Sequence, residues 1–146
     1  MPISTESPAE DQPEADSGQV AIWAEVLYLI NLLVIPGLGF VLLYWLYRRN
    51  IDQAAPLDKA HLQQTLSGSI WAGVLLVLVN LLILLLGGYQ GVNTWVILIT
   101  YFTLCHASLV LFGAYGLAKA MSGLCWRYPL VGKPLPEGCP QKQVSL

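Results

Sequence analysis

The segment Leu62–Ala118 reads LQQTLSGSIWAGVLLVLVNLLILLLGGYQGVNTWVILITYFTLCHASLVLFGAYGLA and contains no Asp, Glu, Lys or Arg. A second segment, Val26–Tyr47, is uncharged in the same way. A water-soluble fold of 146 residues needs no such runs. A bilayer does, because a helix that crosses its hydrocarbon core of about 30 Å takes roughly 20 mainly apolar residues. The sequence therefore predicts a small polytopic membrane protein.

The composition agrees with contact to lipid. Hydrophobic residues make up 55% of the chain and charged residues only 11%, whereas a soluble domain has about 25% charged residues. Residues 1–21 contain acidic side chains and no basic ones, while all seven Lys and Arg residues follow position 118 or lie in residues 48–59. A nucleic-acid-binding surface would need a much richer basic face, so we expect no nucleic-acid partner.

The chain divides into three parts. Residues 1–21 are rich in Pro, Ser and acids and poor in aromatics, which predicts a disordered acidic tail because such a segment buries too little apolar surface to order itself. Residues 22–130 form the predicted transmembrane domain. Residues 131–146 contain three prolines and are predicted to be a flexible, extended C-terminal tail.

An all-α fold with three transmembrane helices is the most economical interpretation. The first helix runs from about Trp23 to Tyr47, and Pro36 should kink it, because proline removes a backbone hydrogen-bond donor. The alternative is a re-entrant or broken segment at Pro36. Irregular backbone of that kind survives at membrane depth only where protein or water covers it.

The second and third helices form a hairpin in this interpretation. The second begins near Pro56, has Asp58 in its first turn, and ends at Leu86 before two glycines. A short loop then returns the chain, and the third helix runs over Trp95–Ala118 or one turn further.

Basic residues predict the orientation. Lys and Arg number zero before the first helix, three between the first and second, zero between the second and third, and four after the third. Because Lys and Arg concentrate in cytoplasmic loops, we expect a multi-pass protein of the bacterial inner (plasma) membrane, with its N-terminus outside and its C-terminus cytoplasmic.

Three polar side chains fall inside the predicted spans. Asn31 and Asn80 lie at matched depth, which predicts an amide hydrogen bond between helices, with a substrate-lining pair as the alternative. His106 lies near the midplane of the third helix and is expected to be neutral and hydrogen-bonded to a neighbour. Ligation of haem or proton transfer is the alternative for this histidine.

Charged and titratable groups near the boundaries receive a simpler interpretation. Glu25 is expected at the outer boundary, in contact with water and without a partner. Lys59 and His61 are expected at the inner surface as solvated groups, with contact to lipid phosphates as the alternative.

Small residues recur at helical spacing on the second and third helices. Such stripes let helix backbones approach closely in lipid, either within the protein or against another copy or partner. The predicted helix-packing residues are Gly68, Ser69, Ala72, Gly73, Gly113, Gly116 and Ala120.

The three cysteines, Cys105, Cys125 and Cys139, lack metal-site spacing. We therefore expect neither a metal site nor a disulfide framework. Cys139 is expected to be a reduced thiol, with lipidation as the alternative.

Three short motifs form a pattern: Pro36 and Trp45 in the first span, the entry to the second span at residues 56–61, and the closing segment of residues 118–130. The pattern resembles a bacterial family of small three-helix membrane proteins of unknown function. This family is loosely similar to the twenty-kilodalton component of the chloroplast inner-envelope import machinery. The resemblance implies a fold and membrane residence more than an activity. The chain departs from it where Ser67-Gly68-Ser69 stands in place of an Asn-Phe-Gln triplet. The matching residues are Pro36, Trp45, Asp58, His61, Arg127, Tyr128 and Pro129.

No pattern in the sequence indicates catalysis. The chain lacks a Gly-rich phosphate cradle, a nucleophile with a matched base, a metal-ligand cluster and paired carboxylates, so we expect neither an enzyme nor a cofactor. The predicted function is that of an integral membrane accessory or scaffold protein. Its partners would be the lipid bilayer and, through the small-residue faces, itself or a larger membrane complex. The alternative is a subunit of an oligomeric transporter or translocation channel.

Overall fold

Four helices make up the part of the chain that the computed structural model describes, residues 18–141. Within this range no β-strand occurs. Residues 1–17 of the predicted acidic tail and residues 142–146 of the predicted C-terminal tail lie outside the described residues. The helices are α1 (Gln19–Leu33), α2 (Leu38–Asn50), α3 (Pro56–Leu85) and α4 (Thr94–Met121).

Helices α3 and α4 begin and end close to the predicted positions. Pro56 occupies the first turn of α3, and Asp58 follows it there. Two glycines with positive φ, Gly87 and Gly88, reverse the chain after α3. Both helices are long and apolar enough to cross a bilayer. The 30 residues of α3 correspond to a length of about 45 Å.

The first predicted span is not one kinked helix. Two helices, α1 and α2, are separated by a tight turn that contains Pro36 and Gly37, the latter with φ of 89°. The Gly37 N–H donates a 3.0 Å hydrogen bond to the Asn31 side chain. A Cβ atom at Gly39 would lie 2.7 Å from the Asn31 Cα, so the two helix backbones are in contact. The prediction of a single kinked helix is therefore wrong, and the broken segment left open by the sequence is what the structure contains.

The α1–α2 hairpin starts and finishes at the same end of the helix bundle. The backbone N–H groups of Gly18 and Ala21 donate to the Asp58 carboxylate at 3.2 and 2.8 Å, so α1 begins beside the first turn of α3 and runs parallel to it. The connector of residues 51–55 lies at that same end, because it leads directly into α3. Three full spans would place the start of α1 and this connector at opposite ends. The three-span prediction is thus not confirmed: α3 and α4 are candidate spans, and α1 is a shorter apolar helix.

Helix α4 runs antiparallel to α1 and completes the packing. The Tyr28 hydroxyl donates a 3.0 Å hydrogen bond to the Leu109 carbonyl, and the start of α1 packs near the end of α4, where Ala21 and Ala120 share one buried cluster. We call α1, α2, residues 56–72 and residues 107–121 the four-helix half.

The remaining part of the bundle contains only α3 and α4. We call residues 73–106 the two-helix half. Large apolar side chains there are exposed, among them Val77 at 67%, Leu85 at 74% and Val96 at 64%. Such a surface is suited to lipid or to another membrane helix.

The segment that follows α4 folds back onto α3. The Ser67 hydroxyl donates to the Val131 carbonyl at 2.6 Å. A disulfide joins Cys125 to Cys139, and the Cys125 N–H donates to the Pro140 carbonyl. The expectations that Cys139 is a reduced thiol and that the cysteines form no disulfide framework are therefore wrong in this structure. Cys105 is a free thiol.

Candidate functional site

A buried network of three titratable side chains connects the four-helix half to the segment after α4. His61 Nδ1 is 2.6 Å from Glu25 Oε1, and the Tyr128 hydroxyl donates a short hydrogen bond to Glu25 Oε2. The exposed fractions of Glu25, His61 and Tyr128 are 0%, 0% and 1%. The network joins α1, α3 and the segment after α4, so it connects parts of the chain that are far apart in sequence.

The hydrogen-bond partners assign a hydrogen to one ring nitrogen of His61 and to the Tyr128 hydroxyl. His61 Nε2 is 3.1 Å from the Leu124 carbonyl oxygen, and because a carbonyl only accepts, Nε2 carries a hydrogen. The other ring nitrogen, Nδ1, makes the hydrogen bond to the Glu25 carboxyl group. Burial, and then the nearby Glu25 carboxylate, raise the pKa of Tyr128 well above its usual value, so the phenol stays protonated and remains a donor.

Glycines on the neighbouring helices make room for this network. A Cβ at Gly116 would lie 2.6 Å from both carboxylate oxygens of Glu25. One at Gly68 would lie 3.0 Å from ring carbons of Tyr28 and Tyr128. These two rings pack edge to face with centroids 5.5 Å apart. The burial of the carboxylate and of both tyrosines thus depends on the absence of side chains at these positions.

Two further polar side chains hold the surrounding backbone. Asp58, which is 4% exposed, accepts the N–H groups at the start of α1, where a negative charge also complements the helix dipole. Gln64 donates to the Lys133 carbonyl at 2.7 Å and accepts from the Tyr128 N–H at 3.3 Å. Both groups therefore attach other segments to α3.

The expected solvation of Glu25 and His61 is wrong. The sequence interpretation placed the two residues at opposite membrane surfaces because it counted α1 as a full span. In the structure α1 starts beside α3, and the two side chains meet. His61 and Tyr128 were also residues of the resemblance, which did not indicate Glu25 as their partner. One signal in the sequence could have indicated a buried partner for Glu25: this residue is a lone charge next to a long uncharged segment.

The predicted helix-packing residues separate into two groups. Gly68, Gly113, Gly116 and Ala120 are buried in the four-helix half. The others, Ser69, Ala72 and Gly73, line a cavity beside the tip of the α1–α2 hairpin.

The three predicted intramembrane polar residues do not all meet. Asn31 bonds to the hairpin turn, whereas Asn80 donates to the Leu76 carbonyl and accepts from the Tyr89 hydroxyl. The predicted Asn31–Asn80 hydrogen bond is therefore wrong, since each amide has a partner close to it in the chain. His106 packs its ring against Phe102 with centroids 5.2 Å apart and lines the same cavity as Asn31.

The remaining residues of the resemblance lie outside the buried network. Trp45 is 55% exposed, and the Arg49 guanidinium lies over its ring at 5.2 Å. Arg127 Nε donates to the Gly132 carbonyl at 3.3 Å. Pro36 lies in the hairpin turn, and Pro129 is exposed.

The hydrogen bonds of the network are made within the protein. Each side-chain N or O atom of Glu25, His61 and Tyr128 has a partner there. Among residues 18–141, no group of three or more His, Cys, Asp and Glu side chains could hold a metal ion. The network therefore connects α1, α3 and the segment after α4 through hydrogen bonds.

Comparison with protein families identifies the family to which this sequence is similar. Residues 17–135 match the magnetosome magnetite crystal formation protein family, MamF/MmsF. The chain belongs to this family. The match extends from before α1 to beyond Tyr128, so it includes all four helices and the whole buried network. A comparison with curated proteins and with solved structures found no match.

Membership of the MamF/MmsF family confirms part of the resemblance. The family is one of small bacterial membrane proteins. Nothing in the comparisons supports the looser similarity to the chloroplast import component.

We predict that the Tyr128 hydroxyl stabilises this MamF/MmsF-family fold. Replacing Tyr128 by Phe leaves one oxygen of the buried Glu25 carboxylate without its donor and should lower the free energy of unfolding by about 1–3 kcal/mol. The measurement is denaturant unfolding in detergent micelles, followed by circular dichroism.

The matched control is Tyr115→Phe. Tyr115 is half exposed, so loss of its hydroxyl should change the stability by less than about 0.5 kcal/mol. Equal effects of the two substitutions would show that the buried network does not stabilise the fold.

Proposed function

We propose that this protein is a non-catalytic integral membrane accessory protein in magnetite crystal formation. The observation that carries the proposal is the family match over residues 17–135. The family description names crystal formation, and the two long apolar helices suit a protein that resides in the membrane around the growing crystal.

A non-catalytic role is supported by the chemistry of the buried residues. A general acid or base must reach a substrate proton, but Glu25 and His61 are fully buried and bonded to each other. Their arrangement serves to hold α1 against α3. A transporter subunit, the alternative raised by the sequence, receives no support from the family.

Two transmembrane helices and one re-entrant hairpin form the topology that we propose. The α1–α2 hairpin enters the membrane from one side, reaches Pro36 and returns to the same side. The polar first half of α3 and the segment after α4 cover its buried side. Irregular backbone at Pro36 is then acceptable, because the N–H groups of Val34, Ile35 and Gly37 are hydrogen-bonded within the hairpin.

The basic residues of the described chain collect at the end where the hairpin starts. Lys and Arg occur in the last turn of α2, the first turns of α3, the last turn of α4 and the segment after it: Arg48, Arg49, Lys59, Lys119, Arg127 and Lys133. By the positive-inside rule this end is cytoplasmic. The N-terminus would then be cytoplasmic as well, in place of the outside location that three spans imply.

The disulfide favours the opposite orientation, in which the basic end faces an oxidising compartment outside the cytoplasm. Cys125 and Cys139 lie at this same basic end, and disulfides persist mainly in oxidising compartments. The charge distribution carries the proposed orientation, because basic residues from four separate segments agree, whereas the disulfide is a single pair.

The outer surface suggests how the protein associates with other molecules. Gly68, Gly113 and Gly116 contact side chains of the same chain, so these small residues are not free to bind a partner. The exposed aliphatic side chains of the two-helix half are instead the surface that would contact lipid, another copy or a larger membrane complex.

We predict that loss of the gene alters magnetite crystals without removing the vesicles that contain them. The expected result in a magnetite-forming bacterium is a changed crystal size or number, measured by electron microscopy and restored by the wild-type gene. Crystals indistinguishable from those of the parent strain would contradict the proposed function.

We predict that residues 19 and 53 are accessible from one side of the membrane and residue 90 from the other. Single cysteines at Gln19, Gln53 and Gln90, all exposed, are introduced into a chain without its native cysteines. An impermeant maleimide is then applied to intact cells and to inverted vesicles. Under the proposed topology, the maleimide labels position 90 in intact cells and positions 19 and 53 in inverted vesicles.

Two results of this labelling would contradict the topology. If position 19 reacts together with position 90, the first segment crosses the membrane as in the three-span interpretation. If positions 19 and 53 react in intact cells, the basic end faces the outside.

A further inference from the structure

A cavity of about 480 Å³ lies where the tip of the α1–α2 hairpin meets α3 and α4. This volume is within the range of about 300–1,000 Å³ that small-molecule sites occupy. Asn31 lines it from the hairpin, Ser69 from α3 and His106 from α4. The cavity therefore brings together three polar residues that lie in different helices.

The cavity lies deep in the membrane if α3 and α4 span it. His106 is eleven residues from Trp95, which corresponds to about 16 Å along the helix, close to the middle of a hydrocarbon core of about 30 Å. No Asp, Glu, Lys or Arg lines the cavity. A charged headgroup would have no counter-ion at this depth, so the chemistry favours an uncharged ligand.

Two polar side chains of the cavity have donors without a partner in the described part of the chain. Ser69 is only 4% exposed, and its hydroxyl has no hydrogen-bond partner among the described residues. The Asn31 Oδ1 atom accepts the Gly37 N–H, which leaves the Asn31 amide N–H groups as donors. A buried donor without a partner costs about 1–3 kcal/mol, and a ligand with acceptor oxygens would remove that cost.

Aromatic rings form much of the remaining wall. Phe40 lines the cavity from α2, and Tyr101 and Phe102 line it from α4. The latter two belong to a π-helical turn, Tyr101–His106, and such turns frequently occur at functional sites. Rings of this kind pack well against a flat, apolar ligand ring.

We propose that the cavity binds a membrane quinone, an uncharged lipid with a flat ring and carbonyl oxygens. One carbonyl accepts hydrogen bonds from the Ser69 hydroxyl and the Asn31 amide. The ring packs against the aromatic wall, and the apolar tail leaves through the open side of the cavity into lipid. This inference rests on the cavity alone and does not depend on the role in crystal formation.

The test is photolabelling of the full-length protein in phosphatidylcholine vesicles with an azido-benzoquinone that carries a decyl tail. We expect saturable labelling that maps to the cavity-lining residues of the hairpin, α3 and the π-helical turn. Excess decylubiquinone should compete with the probe, and decylbenzene, which has the same tail but no carbonyl, should not.

Two variants connect the labelling to the cavity. Ser69→Ala removes one donor and should weaken the probe affinity about three- to tenfold. Gly73→Leu should abolish specific labelling, because Gly73 lines the cavity and a Cβ there meets no atom within 4 Å, so the new side chain fills empty space. Thermal unfolding of each variant checks that it is folded.

Ser108→Ala is the matched control. Ser108 is exposed on α4, and its hydroxyl donates to the Leu104 carbonyl, so this variant should label like the wild type. Equal competition by decylbenzene would show that the cavity merely accepts acyl chains and would overturn the proposal. Labelling that persists unchanged in folded Gly73→Leu would overturn it as well.

Discussion

The Glu25 carboxyl group, buried without access to water, is the constraint on which the rest of this structure depends. An unpaired charge in such a place costs several kcal/mol, so it must be paired and hydrogen-bonded. His61 and Tyr128 occupy both of its oxygens, and Gly116 leaves the space in which the group fits. These contacts force α1, α3, α4 and the segment after α4 to meet at one point.

The position of that point explains the unusual architecture. Successive contacts follow both helices in the same direction: Glu25 meets His61, and further along α1 the Tyr28 ring lies against Gly68, so α1 and α3 run in parallel. The Asp58 carboxylate reinforces this by accepting the first N–H groups of α1. Helix α2 then returns along α1, which leaves the other half of the bundle with only two helices. The cavity at the hairpin tip lies at the boundary between the four-helix half and the two-helix half.

The sequence predicted the parts of the fold that depend on local patterns. The ends of α3 and α4 follow from Pro56, the glycine pair and the run of apolar residues, and the structure confirms them. A hairpin and a span cannot be distinguished in this way, because both need an apolar segment of similar length. The count of basic residues also fits both topologies. Replacing the first span by a hairpin moves only the N-terminal tail to the other side of the membrane, and that tail has no basic residue.

The buried network was not predictable for a related reason. Its members lie 36 and 103 residues apart, and their meeting depends on the hairpin that the sequence left as the less favoured alternative. Glycine spacing did indicate close helix contacts. It did not show that Gly116 faces a carboxylate while Gly73 faces an open cavity.

The most direct test of the shared starting point of α1 and α3 is a set of spin-label distances in detergent. Labels are placed in pairs at Gln19 and Gln53, and at Gln19 and Gln90, which are exposed positions. The structure predicts a short distance for the first pair and about 45 Å for the second, the length of α3. The reverse order, with Gln19 close to Gln90 and far from Gln53, would contradict the parallel arrangement of α1 and α3.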